Sequence, residues 1–387
     1  MFIGDCERSR MQNDDDRPVM GVRSMLGRTI ARIAPDWSLR RSRQREFDRL
    51  GRSGDLGWRT LPPMRHRRVE SAIAAAGDRI LVVAGYGNGL DEVLTHIDVF
   101  DARRRRWLEP IEMPPGSASS HLGCTLVEDR WLFLAGGQVG PQCRPATDAV
   151  RVLDLDQGRW SILPPLPEAR YAPILLHAHG RLHAIGGTGP ERPRARDDHW
   201  SLGIEGEAAL ETAWRPEAPI PRSGTHRGGV VLDGDLFVFG GQVGDARAIP
   251  GDPAFTCDLS DLGGGVFGES FRYRSADRTW TPIAPMPTAV SHTDTAVTRS
   301  GRLAIVVGGS PEPKRCGDLV QAYDPDENRW FEAGRLPRPM KNAAAVALGD
   351  ILHLFGGQTS LSRIDLRSGP VLRDAWAAPL GARAPRS

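Results

Sequence analysis

Six times along this chain an apolar run ends at glycine, and each time a tryptophan stands 26 to 29 residues earlier. The glycines are paired at Gly136-Gly137, Gly186-Gly187, Gly240-Gly241, Gly308-Gly309 and Gly356-Gly357, and Leu81-Val82-Val83-Ala84-Gly85-Tyr86-Gly87 is a degenerate further copy. Their tryptophans are Trp58, Trp107, Trp160, Trp214, Trp280 and Trp330. Self-similarity at a period of about 50 residues marks a repeat architecture, in which each unit buries its faces only against its neighbours. That rules out most arrangements of independent domains that 387 residues would otherwise allow.

Each unit has the same internal order. After the tryptophan comes a proline-rich turn, as in Leu61-Pro62-Pro63-Met64, Leu163-Pro164-Pro165-Leu166-Pro167 and Leu336-Pro337-Arg338-Pro339. A run of small residues, a turn and an apolar segment follow, as in Gly180-Arg181-Leu182-His183-Ala184-Ile185-Gly186-Gly187. Before several tryptophans a strand pattern ends in aspartate: Ile97-Asp98-Val99-Phe100-Asp101, Val150-Arg151-Val152-Leu153-Asp154 and Val320-Gln321-Ala322-Tyr323-Asp324. The spacing predicts four short strands per unit, bounded by turn residues. The 44 glycines and 31 prolines are the punctuation of this pattern. They exclude long helices, because glycine costs backbone entropy and proline removes a donor.

Doubled glycine, Tyr or Phe followed by Asp, and tryptophan at a fixed offset together resemble the kelch repeat, from about Trp58 to the C-terminus. The resemblance implies an all-β fold: a six-bladed kelch β-propeller with four-stranded blades around a central channel. Trp58 has no Asp-ended strand before it, so the ring is expected to close with an N-terminal strand near Trp58 in blade six. Its partner is either Ser362-Arg363-Ile364-Asp365-Leu366 or the segment from Val371 to Trp376. Residues 1–55 form a basic extension, and residues 56–387 the propeller. Residues 244–268 read as a long Gly- and Pro-rich loop insertion in blade four.

The remaining composition narrows the function classes. Fifty basic against 48 acidic residues leave no clustered positive charge for nucleic acid. No run of apolar residues is long enough for a transmembrane segment, and no signal peptide is recognised, which gives a cytoplasmic expectation. Val22, Met25, Leu26, Ile30 and Ile33, with Arg23, Arg28 and Arg32 between them, have the spacing of a short cationic surface helix; a solvated extension is the alternative. The five cysteines carry no paired C-x-x-C spacing, so reduced thiols are expected. Gly140-Pro141-Gln142-Cys143-Arg144, Arg170-Tyr171-Ala172-Pro173, Asp198-His199-Trp200-Ser201 and Ser291-His292 are similar to segments of membrane-anchored plant kelch-repeat proteins. Export would make a Cys143–Cys257 bridge conceivable.

The repeat register points to one place for chemistry. Fifteen residues before the first glycine of each motif stand Glu70, His121, Tyr171, Thr225, Thr293 and Lys341, and a one-residue slip adds His226, His292 and Asn342. In a kelch propeller this position opens the innermost strand, at one mouth of the channel. Glu70, His121, His226 and His292 are the candidate proton-moving residues, since carboxylate and imidazole suit general acid–base work. Arg170, Tyr171, Lys341 and Asn342 are the candidate ligand-binding residues. The three ring histidines have the donors for a metal, but no metal or other cofactor is assigned from sequence.

Two kelch enzyme families offer comparisons. Copper radical oxidases need a tyrosine crosslinked to cysteine, a second tyrosine and two histidines on a seven-bladed ring; this chain has six units, and of its tyrosines Tyr86, Tyr171, Tyr273 and Tyr323 the last two stand in the strand before a tryptophan, where they read as structural. Bacterial sialic acid mutarotases are six-bladed and use polar residues around the channel. The resemblance therefore implies a small polar ligand, a sugar or sugar acid, with epimerase- or mutarotase-type proton transfer as its catalytic form. The alternative is a non-catalytic scaffold that binds a protein partner.

Overall fold

The computed structural model describes residues 56–87, 92–140, 145–245, 265–362 and 368–380. The N-terminal extension, most of the blade-four insertion, Cys143 and Cys257 lie outside them. Among the described residues the secondary structure is strand and turn, without helix.

The strands form six antiparallel blades. Their innermost strands are Ala72–Ala76, Gly123–Val127, Ile174–Ala178, Gly228–Leu232, Val297–Ser300 and Ala344–Leu348. Each lies against the next, and the last returns to the first, so the ring closes. The second strand of each blade is the apolar run before glycine, for example Arg79–Val83 and Leu303–Val307, and is almost wholly buried. These runs do not alternate because blades pack on both of their faces. Six hydrophobic clusters fill the gaps, one for each pair of neighbouring blades.

Ring closure is supplied by the N-terminus. Arg59–Leu61 pairs with Ala375–Pro379 as the outermost strand of the sixth blade, with Thr60 opposite Trp376. The segment carrying Trp376 is therefore the partner, and residues 363–367 of the other alternative lie outside the described residues.

The sequence markers have distinct physical jobs. Trp107, Trp214, Trp280 and Trp330 each donate an indole N–H to a carbonyl in the proline turn of the preceding unit, at 2.8–2.9 Å. Trp58 closes the series by donating to the Arg335 carbonyl at 2.7 Å. Each tryptophan thus adds a directional bond to its packing area. The strand-ending aspartates close the hairpin ahead of the tryptophan: Asp154 Oδ1 accepts from the Asp156 and Gln157 amides, and Asp324 Oδ1 from those of Asp326 and Glu327.

The second glycine of each motif ties its blade to the next at the channel mouth. Its N–H donates to a carbonyl of the following blade at all six junctions: Gly85 to Ser119, Gly137 to Arg170, Gly187 to Gly224, Gly241 to Val290, Gly309 to Met340, and Gly357 to Arg68. At Gly187, with φ of 82°, a Cβ would stand 2.2 Å from the Tyr171 carbonyl oxygen. The doublets therefore hold the segment that enters each innermost strand, and that segment carries the site.

A candidate site at the channel mouth

Two residues beyond each accepting carbonyl, the backbone turns left-handed: Glu70, His121, Ala172, His226, His292 and Asn342 have φ between 45° and 58°. None is glycine, and non-glycine residues rarely adopt this conformation. Six repetitions at one structural position make it a property of the blade, and such strain gathers where a site must be held. Backbone bonds link neighbours around the ring, His121 N–H to the Glu70 carbonyl at 3.1 Å, Ala172 to His121 at 2.9 Å and Asn342 to His292 at 3.2 Å.

This refines the sequence register. The slipped positions His226, His292 and Asn342 are the true equivalents of Glu70 and His121, and the third blade contributes Ala172 rather than Tyr171. Counted from the first-glycine site, which Ala84 fills in blade one, the left-handed residue stands 14 residues back in blades one, three, four and six, 15 back in blade two and 16 back in blade five, so no single offset finds it in every blade.

The ring side chains meet. Glu70 Oε2 lies 2.9 Å from His121 Nε2, and Glu70 Oε1 accepts from Asn342 Nδ2. His121 Nδ1 is 3.0 Å from Ser120 Oγ. The His121 and His226 rings meet edge-on at 5.3 Å, and His226 stacks on His292 at 4.3 Å with 7° between planes. His292 Nδ1 lies 2.9 Å from Ser291 Oγ. None of these side-chain-bearing residues is more than 8% exposed.

Two carboxylates outside the register complete the cluster. His226 Nδ1 is 3.3 Å from Asp294 Oδ2, and His226 Nε2 is 3.4 Å from Asp245 Oδ2. Burial alone would lower the His226 pKa, but the two carboxylates outweigh it and hold the ring well above the ordinary histidine value. His292 lies well below that value, first through burial and then through the neighbouring His226 and Lys341 charges. The two stacked rings are thus pushed in opposite directions, His226 toward the charged form and His292 toward the neutral one. Asp294 is pushed up by burial, yet His226 brings it below the usual carboxylate range. Asp245 also pairs with Arg192, whose guanidinium lies 5.3 Å from the Tyr171 ring centre. Sequence spacing alone could not find Asp245 and Arg192, because both sit in connections after the glycine doublets. Asp294 carries a weak signal, two residues beyond His292.

The other sequence candidates divide. Lys341 is close enough to His292 to act on it electrostatically, and its register partner is Gln358. Tyr171 is bridged through its backbone to Thr188, and its ring lies under the Arg192 guanidinium. Arg170 does not join the ring: its guanidinium bonds Asp198 at 3.1 Å and Glu168 at 2.9 Å, over the Trp200 ring. His183 and His199 pair with each other at 2.9 Å, as strand residues of blade three.

Several buried polar atoms around the ring have no hydrogen-bond partner in the protein: Thr225 Oγ1 beside His226, Thr293 Oγ1 beside His292, Asn342 Oδ1, Gln138 Nε2 and Thr188 Oγ1. Gln138 and Thr188 bridge Ser120 and Tyr171. Within the channel the inner strands enclose a cavity of about 70 Å³, lined by Gly123, Leu175, Gly229 and Asp294 among others. It has room for water and not for a sugar ring.

Fold and site together define a six-bladed propeller of the kelch type with a buried imidazole–carboxylate ring at one channel mouth. The chain is 33% identical over 333 residues to the Kelch repeat-containing protein At3g27220 of Arabidopsis thaliana, covering 84% of this chain and 76% of the relative. It belongs to the kelch-repeat family. Kelch-like protein 25 of Xenopus tropicalis is 25% identical over 216 residues, 55% of this chain and 33% of the relative, so the chain spans about a third of that protein. The solved structure of YjhT superimposes with a TM-score of 0.60 at 13% identity, over 84% of this chain and 98% of that one, a likeness of fold. No protein-family model matches the chain.

Proposed function

We propose that the channel mouth binds a small polar ligand, a sugar or sugar acid, at the ring of Glu70, His121, His226, His292 and Asn342, with Lys341 and Tyr171 at its edge. The observation that carries this reading is the group of buried, unpartnered polar atoms around the ring. Buried donors and acceptors are nearly always paired, and each orphan costs about 1–3 kcal/mol, so a cluster of them calls for a polar occupant. Hydroxyl and carboxylate groups fit that demand. In the catalytic form of the reading, Glu70 and His121 are already within proton-transfer distance, as mutarotase-type chemistry requires. Because the cavity among the inner strands is too small, this reading places the ligand at the mouth.

A scaffold that binds a protein partner is the second reading. It is favoured by one observation, that no ring residue exposes a tenth of its surface, as in a plugged channel. Thermal-shift measurements with a panel of sugars and sugar acids separate the two. The ligand reading expects at least one compound to raise the melting temperature of the wild type and not of His121→Asn, a variant that keeps a residue tolerant of left-handed backbone. No shift in the wild type, or equal shifts in both, supports the scaffold.

A further inference from the structure

The geometry points to a metal site within the ring: we propose that Glu70, His121 and His226 bind one divalent transition-metal ion. One ligand atom from each of these buried residues lies within 4.8 Å of the other two. Two imidazoles and a carboxylate, with a position left open, are a donor set for borderline ions such as zinc or ferrous iron. The trio differs from three histidines, because His292 is turned into a stack on His226 with its Nδ1 toward Ser291.

The surrounding contacts argue for an ion more strongly than the trio does. A metal-binding histidine almost always holds its other ring nitrogen on an oxygen acceptor. His121 meets this with Nδ1 at Ser120 Oγ, 3.0 Å away, leaving Nε2 toward Glu70. His226 meets it in either orientation: the nitrogen that turns to the ion gives up its proton to solvent as the metal binds, and the other keeps a carboxylate, Asp294 or Asp245. Glu70 is fixed through Oε1 by Asn342, which leaves Oε2 facing His121. Glu70, His121 and His226 share the same left-handed backbone at equivalent positions of their blades. This goes beyond the ligand reading, since an ion would bind with no sugar present; where both occur, the open position takes the ligand.

The test is a Co²⁺ titration of the full chain, stripped with chelator and free of sugar, followed by visible absorption, with elemental analysis of the protein as purified. One equivalent of Co²⁺ with ligand-field bands is expected. Glu70→Gln and His226→Asn should abolish the bands, Asp294→Asn should weaken binding about 10- to 100-fold, and His353→Gln should leave it unchanged. Circular dichroism identifies any variant that fails to fold, and the remaining folded variants then carry the comparison. Absence of stoichiometric binding by the wild type, or undiminished binding by folded ring variants, overturns the proposal. Neither outcome alters the sugar-panel result.

Discussion

Gly187→Ala and Gly158→Ala are the same chemical change at two left-handed glycines, with φ of 82° and 64°, and they should differ sharply in cost. At Gly158, in the hairpin after Asp154, an added Cβ meets nothing within 4 Å. The left-handed conformation then costs about 1–2 kcal/mol, offset by about 0.4–1 kcal/mol from the stiffer unfolded chain. The net loss is about 1 kcal/mol. At Gly187 the same methyl would lie 2.2 Å from the Tyr171 carbonyl and 3.0 Å from that of Ala172, backbone atoms of the segment entering the innermost strand. Relieving that overlap adds about 1–3 kcal/mol, and weakening the Gly187-to-Gly224 bond about 1 kcal/mol more. The two variants should therefore differ by about 3 kcal/mol in urea denaturation, or about 4 °C in melting temperature. Equal losses would refute the claim that the doublet exists to admit the site-bearing segment.

Two further outcomes follow from the outer strands and from blade three. Trp107→Phe keeps the ring contacts with Phe100 and Phe355 but removes the bond to the Pro62 carbonyl; it should cost about 1 kcal/mol, against about 3 kcal/mol for Trp107→Ala, and equal losses in thermal denaturation would mean that the hydrogen bond alone joins these blades. Burial, only partly opposed by the Glu217 carboxylate, lowers His183 to about 4 and His199 to about 3. The unfolded chain therefore takes up these protons first, and stability should fall as pH drops from about 6.5 toward 4. Melting curves across that window should flatten in a His183→Leu/His199→Phe variant, and an unchanged slope would rule the pair out as the cause.

The blade architecture was legible because its markers are local and repeated: glycine motifs, proline turns and tryptophans recur in one order, and the second glycine does the same physical job at all six junctions. The site was legible only through that register. Glu70 and His121 fall at the counted position, whereas His226, His292 and Asn342 needed a one-residue slip. The left-handed backbone has only a weak signal in the residues: histidine and asparagine adopt it more readily than most, whereas Glu70 and Ala172 do not announce it. Asp245 and Arg192 lie in connections whose lengths differ from blade to blade, so no period leads to them. Arg170 sits in the right segment, but its guanidinium is paired with Asp198 and Glu168 rather than with the ring side chains.

The claim that the ring is a ligand site is tested most directly by histidine side-chain NMR on the full chain during addition of the sugar and sugar-acid panel. The account predicts that a binding compound moves the imidazole resonances of His121, His226 and His292 together while those of His183, His199 and His353 stay in place. A compound that binds without disturbing the ring histidines, or a panel that moves none of them, would contradict it.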